Sequence, residues 1–121
     1  MPYSDVNAAT TEGATALMIA TQASNLEMMS SLLFHSDGRL DVNQAEHGGN
    51  TALHIAASQD AAHADSVGLL LKAHGIDVNR KSVGGLCALY HAAQNGHLQT
   101  VRLLLGVEQI DVRARTALIY F

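Results

Sequence analysis

Seven histidines and one cysteine are the side chains of this 121-residue chain best suited to chemistry. The histidines stand at 35, 47, 54, 63, 74, 91 and 97. A zinc site needs three or four ligands within tetrahedral reach, usually supplied as close Cys or His pairs. The chain has a single thiol, Cys87, and the nearest histidines, His91 and His97, flank a predicted helix break. No metal site is expected. Cys87 and His91 are four residues apart and would share a helix face, the spacing that lets a base approach a thiol, and a helix N-terminus would lower the thiol's pKa. Nothing in the sequence supplies an oxyanion donor or a third, orienting group, so His91 reads as a satisfied core histidine. The pairs Gly48-Gly49 and Gly84-Gly85 lack the lysine and hydroxyl of a phosphate-binding loop. The chain therefore reads as non-catalytic, with no cofactor.

The elements that hold these residues show in the chain's similarity to itself. Asp-Val-Asn recurs at 5–7, 41–43 and 77–79, and Asp-Val-Arg follows at 111–113. Ten residues after each of the first three Asp positions begins a second block, Thr15 to Ala20, Thr51 to Ala56 and Cys87 to Ala92, with Gly13, Gly49 or Gly85 two positions ahead. Leucine clusters at 32–33, 69–71 and 103–105 close each unit. Landmarks held in phase at 34 to 36 residues signal stacked repeats.

Within one unit, Thr before an apolar run reads as a helix N-cap, and the preceding glycine supplies a turn. Asn95-Gly96-His97 marks a break, where glycine ends a helix in the left-handed region. Beyond it, Val101, Leu104 and Leu105 form one helical stripe that Leu103 widens. The spacing predicts helices near 15–23, 26–34, 51–58, 64–72, 87–95 and 98–105, joined by loops that carry the Asp-Val-Asn segments.

Composition sets outer bounds. Apolar residues make up 48% of the chain, aromatics only 4% and Trp none, so the core is built from Ala, Leu, Val, Ile and Met. No apolar run approaches a membrane span, and the N-terminus lacks a secretory signal's basic start and apolar stretch. One cysteine forms no internal disulfide, which fits a reducing compartment. Location reads as intracellular, in the cytoplasm. Net charge is −4, but residues 1–71 hold eight acids and one base, whereas residues 72–121 hold three acids and six bases. The basic end suits an acidic partner surface. An acidic, Trp-free chain without a basic stripe does not suit nucleic acid.

Taken together, Asp-Val-Asn, Gly49-Asn50-Thr51-Ala52-Leu53-His54-Ile55-Ala56-Ala57 and Gly96-His97-Leu98 through Leu105 resemble the ankyrin repeat, over roughly residues 5–110. The resemblance implies an all-α solenoid of stacked helix–turn–helix units, with β-hairpin fingers along one edge and a concave surface that grips partner proteins. The chain then forms a single domain, 1–121, with repeats at about 5–40, 41–76 and 77–110 and an incomplete unit at 111–121. Against the family pattern, Cys87 replaces the Thr cap, while Tyr90 and His91 replace His and an aliphatic residue. Losing the cap's hydrogen bond costs about 0.5–2 kcal/mol. Extra residues lie near Phe34 to Leu40 and Asp60 to Ala64, and Gly68 falls inside a helix. No polar C-terminal cap follows, so Leu89, Leu104 and Leu105 are expected near an open end. Either the chain belongs to a longer array, or Leu118 to Phe121 fold back as a cap.

The resemblance assigns partner contacts to the fingers and to the ends of the first helices. These are Glu12 and Gln22 in the first unit; Ala45, His47, Asn50, Ser58 and Gln59 in the second; and Lys81, Val83, Leu86, Gln94 and Asn95 in the third. The expected function is non-catalytic protein binding, with an unidentified protein as partner and neither nucleic acid nor membrane. Two alternatives stand beside it. One is a targeting segment of a longer enzyme or effector; the other is a structural fragment that self-associates through its uncapped C-terminal end.

Overall fold

A computed structural model describes residues 5–36, 38–59 and 64–111. Its helices are α1 (Ala16–Gln22), α2 (Leu26–Phe34), α3 (Ala52–Ser58), α4 (Ala64–Leu71), α5 (Ala88–Gln94) and α6 (Leu98–Leu105). Each lies within a residue or so of its predicted span. The Thr15 side chain accepts from the Met18 amide at 3.3 Å, and Thr51 accepts from the His54 amide at 3.4 Å. Each hydroxyl satisfies an amide that the first turn leaves without a helical partner. Cys87 takes the same extended N-cap conformation without a side-chain bond, as its substitution for Thr predicts.

The helices pair as α1 with α2, α3 with α4 and α5 with α6, and stack in two layers, α1, α3 and α5 against α2, α4 and α6. Small residues make the inner layer close: Ala20, Ala56 and Ala92 recur at one position and all are buried. Leu17, Leu53 and Leu89, with Met29, Leu70 and Leu104, join them in one core. Burying such a side chain fully contributes roughly 1.5–3 kcal/mol.

Two expectations need correction. Leu89 and Leu104 are 0% exposed, and Leu105 alone reaches 36%. Leu89 and Leu104 belong to one buried core that also holds Ile110, in a turn where the Ile110 amide donates to the Val107 carbonyl at 3.2 Å. His91 is half-buried rather than a core residue. Of the incomplete fourth unit only Asp111 is among the described residues. The Leu118 to Phe121 segment and residues 60–63 lie outside them.

The Asp-Val-Asn segments splice one unit to the next. In each, the Asp carboxylate accepts from the Asn amide two residues on, at 2.9, 3.0 and 3.0 Å for Asn7, Asn43 and Asn79. That turn aims each Asn side chain at the following unit. Asn7 donates to the Arg39 carbonyl and accepts from the Asp41 amide, at 2.9 and 2.7 Å. Asn43 does the same with Gly75 and Asp77, at 2.8 and 2.8 Å, and Asn79 with Gln109 and Asp111, at 2.6 and 2.7 Å. An amide side chain offers both a donor and an acceptor, so one residue type serves both loop groups. Val42 and Val78, between Asp and Asn, are buried.

Candidate functional site

Ahead of α1, α3 and α5 the chain makes three fingers, each a tight turn ended by a glycine. In the first, the Gly13 amide donates to the Thr10 carbonyl and the Thr10 amide to the Ala14 carbonyl, both at 2.9 Å. The second repeats this with Gly49 and Glu46, then Glu46 and Asn50, and the third with Gly85 and Ser82, then Ser82 and Leu86. Gly13, Gly49 and Gly85 have φ of 90°, 80° and 80°, a region side chains resist. These turns close within five residues. Among the described residues the only ladder pairing is a bridge between Ala9 and Thr15, so the fingers are turns rather than the hairpins expected.

Neighbouring fingers are joined through their backbones. The His47 amide donates to the Glu12 carbonyl at 3.1 Å, and the Val83 amide donates to the Gly48 carbonyl at 3.0 Å. The third finger lies so close over the second that a Cβ on Gly49 would meet the Val83 nitrogen at 2.6 Å. Arg80 adds a side-chain tie to the Asn43 carbonyl at 3.1 Å, matching the Gln44 tie to the Asn7 carbonyl at 3.0 Å. The result is one row of backbone with its side chains turned outward.

Of the residues assigned from sequence, Glu12, His47, Lys81 and Val83 are exposed on this row, Val83 at 79%. Ala45, Asn50 and Leu86 are half-buried in it. Gln22, Ser58, Gln59, Gln94 and Asn95 lie at the opposite ends of the inner helices, about 10 Å away at 1.5 Å per residue. They form a second cluster, separate from the finger tips. Ser58 donates to the Ile55 carbonyl at 3.1 Å and Asn95 to the His91 carbonyl at 2.9 Å, so each spends a donor on its own helix.

The electrostatics of the row change along it. The Glu12 carboxylate is held below its ordinary pKa, first by the Thr11 hydroxyl 3.1 Å away and, to a smaller extent, by nearby His47. Lys81, exposed on the third finger, gives that end a positive charge. A cleft of about 390 Å³ opens beside it, lined by Asn79, Lys81, Gly85, Leu86, Tyr90 and Asp111, with buried Cys87 at its floor.

Two histidines carry structure across the units. His54 Nδ1 accepts from the Thr51 amide at 3.1 Å, and Nε2 lies 3.1 Å from the Leu86 carbonyl at the base of the third finger. His97 Nδ1 donates to the Ala57 carbonyl at 3.1 Å. In the sequence both coincide with landmarks of the repeat, which marks them as structural hydrogen-bonding residues. The roles of Asn7, Asn43 and Asn79 are not legible there, although their recurrence two residues after Asp is the available signal.

Two family models match the chain, one describing ankyrin repeats in three copies over residues 3–82 and one describing ankyrin repeats in many copies over residues 60–105. The chain belongs to the ankyrin-repeat family. No curated protein matches it. Ankyrin repeats are generally protein–protein interaction modules and typically non-catalytic. Among the described residues no three His, Cys, Asp or Glu side chains converge as metal ligands, and no helix is long and apolar enough to cross a membrane.

Proposed function

We propose that this ankyrin stack binds a partner protein through its finger row, centred on the third finger, with the ends of the inner helices as a flanking contact. The observation that carries this reading is Val83, an apolar side chain 79% exposed at the tip of a turn whose backbone is bonded to its neighbour. An apolar group held on a fixed backbone loses little conformational entropy on binding. Lys81 beside it steers an acidic surface toward the tip, and half-buried Leu86 forms the apolar wall of the adjoining cleft. Glu12 and His47 extend the contact along the first two fingers, and Gln22, Ser58, Gln59, Gln94 and Asn95 line the second cluster.

The test compares capture of proteins from lysate by the native chain and by a Lys81→Glu/Val83→Asp variant whose circular dichroism and melting are unchanged. Leu86 is left intact there, because its side chain is half-buried at the base of the finger and its replacement would disturb the fold as well as the contact. A protein held by the native chain and lost, at least tenfold, by the variant supports the third finger as the contact. A partner retained equally by both overturns that assignment.

A further inference from the structure

The joint between the second and third units is closed by two facing imidazoles. The rings of His54, on α3, and His91, on α5, lie 5.5 Å apart, edge to face at 87°. We propose that this pair is an acid-released latch, which fixes the third finger while both rings are neutral and frees it when either is protonated.

The hydrogen bonds define the state that His54 needs. The Leu86 carbonyl can only accept, so Nε2 carries the proton; the Thr51 amide can only donate, so Nδ1 is bare. Protonating Nδ1 sets one N–H against another, leaves the Thr51 hydroxyl, 2.9 Å away, as the acceptor for the new N–H, and breaks the bond by which the ring closes the capping box at the start of α3. His91 has a different weakness. Its Nε2 is buried with no hydrogen-bond partner, and an imidazolium must donate from both nitrogens. A charge on either ring also faces the other ring across the joint, and Arg80 adds positive charge next to His54.

Among the described residues no anion is paired with either ring. Neither α1 nor the rest of α3 holds an ionisable side chain, Asp65 of α4 is exposed on the outer groove, Arg102 of α6 is exposed and positive, and Asp111 lines the cleft at the start of α5 together with Lys81. His97 provides the internal contrast, because its partner is the Ala57 carbonyl, which a charged ring satisfies as well as a neutral one.

Both latch histidines sit below their ordinary pKa, His54 chiefly through burial and then through His91, and His91 through burial. The opened joint therefore binds protons more readily than the closed one. The latch holds fully above the free-histidine value of about 6.5 and weakens as pH falls below it. The finger freed is the one whose base His54 ties at Leu86. Loss of partner in acid rests on the binding reading above, but opening of the joint does not.

Hydrogen exchange, corrected for intrinsic rate, on the whole chain between pH 7.5 and 5 tests the latch. Amides of residues 82–94 are expected to lose protection more steeply than those of α1 and α2. The opening constant rises by up to about tenfold per pH unit for each histidine involved, so up to about a hundredfold for two. His91→Ile places at 91 the residue that Ile19 and Ile55 have at the matching positions, and should reduce the dependence to one proton. Equal loss of protection along the chain, no pH dependence at residues 82–94, or an unchanged slope in His91→Ile would each overturn the latch. Opening without loss of a captured partner would leave the latch standing and remove the third finger from the binding surface.

Discussion

The starts of α3 and α5 have nearly the same backbone and opposite chemistry. Thr51 and Cys87 adopt φ, ψ of −92°, 175° and −87°, 171°. At α3 the Thr51 hydroxyl bonds the third amide of the helix, and His54 returns the bond to the Thr51 amide. At α5 the cysteine side chain makes no cap bond, and Tyr90 stands where His54 would be. Stacking has fixed the backbone of both helices; the side chains decide how much each contributes. The difference teaches that an ankyrin unit can lose its cap and keep its shape, provided a neighbour holds it. Here the neighbour's hold on the start of α5 includes the bond from His54 to the Leu86 carbonyl, beside the Val83–Gly48 and His97–Ala57 bonds between the same two units.

Removing His54 should have the largest effect. His54→Ala leaves the Thr51 amide without its acceptor and the Leu86 carbonyl without that donor, and opens a cavity at a site only 2% exposed. Together these should cost about 3 kcal/mol, read by urea denaturation. A loss below about 1 kcal/mol would mean the ring is bystander packing, and the contrast between the two helices would disappear.

Exchanging the caps sharpens the comparison. Thr51→Val keeps the shape of the side chain, removes the acceptor, and should destabilise by about 1–2 kcal/mol. Cys87→Thr supplies the missing acceptor at a buried position of similar size and should stabilise by about 1 kcal/mol. Opposite signs from matched positions are the expected result. If both lower the melting temperature, the cysteine is held by packing that a hydroxyl disturbs, and the backbone likeness misleads.

This pattern also marks what could be read from the chain beforehand. The helices, the two threonine caps and the bare cysteine follow from local spacing, because cap and amide are three residues apart; the carbonyl partners of His54 and His97 lie 32 and 40 residues away and do not. The burial of Leu104 does not, since it comes from a core assembled from all three units. Nor does the half-buried place of His91, which is set by a ring 37 positions earlier. The clamps made by Asn7, Asn43 and Asn79 reach carbonyls 30 to 32 residues away; a repeated residue type reveals that a partner exists without revealing which. Among the assigned contact residues, the exposure of Val83 follows from its place at a turn tip, whereas Leu86, at the base of the same finger next to α3's His54, is half-buried.

The smallest effect separates capping from helix propensity. Gly68 lies inside α4, behind α3, and a Cβ built there meets nothing within 4 Å. Gly68→Ala should therefore stabilise by about 1 kcal/mol, because alanine has less backbone freedom to lose and no neighbour to strike. The site is far from the α5 cap in both chemistry and contact, so the Gly68→Ala and Cys87→Thr gains should add to within about 0.5 kcal/mol. A double variant gaining clearly more than the sum would show that stiffening the second unit tightens its hold on the third. The uncapped helix would then depend on the whole second unit, and not on His54 alone.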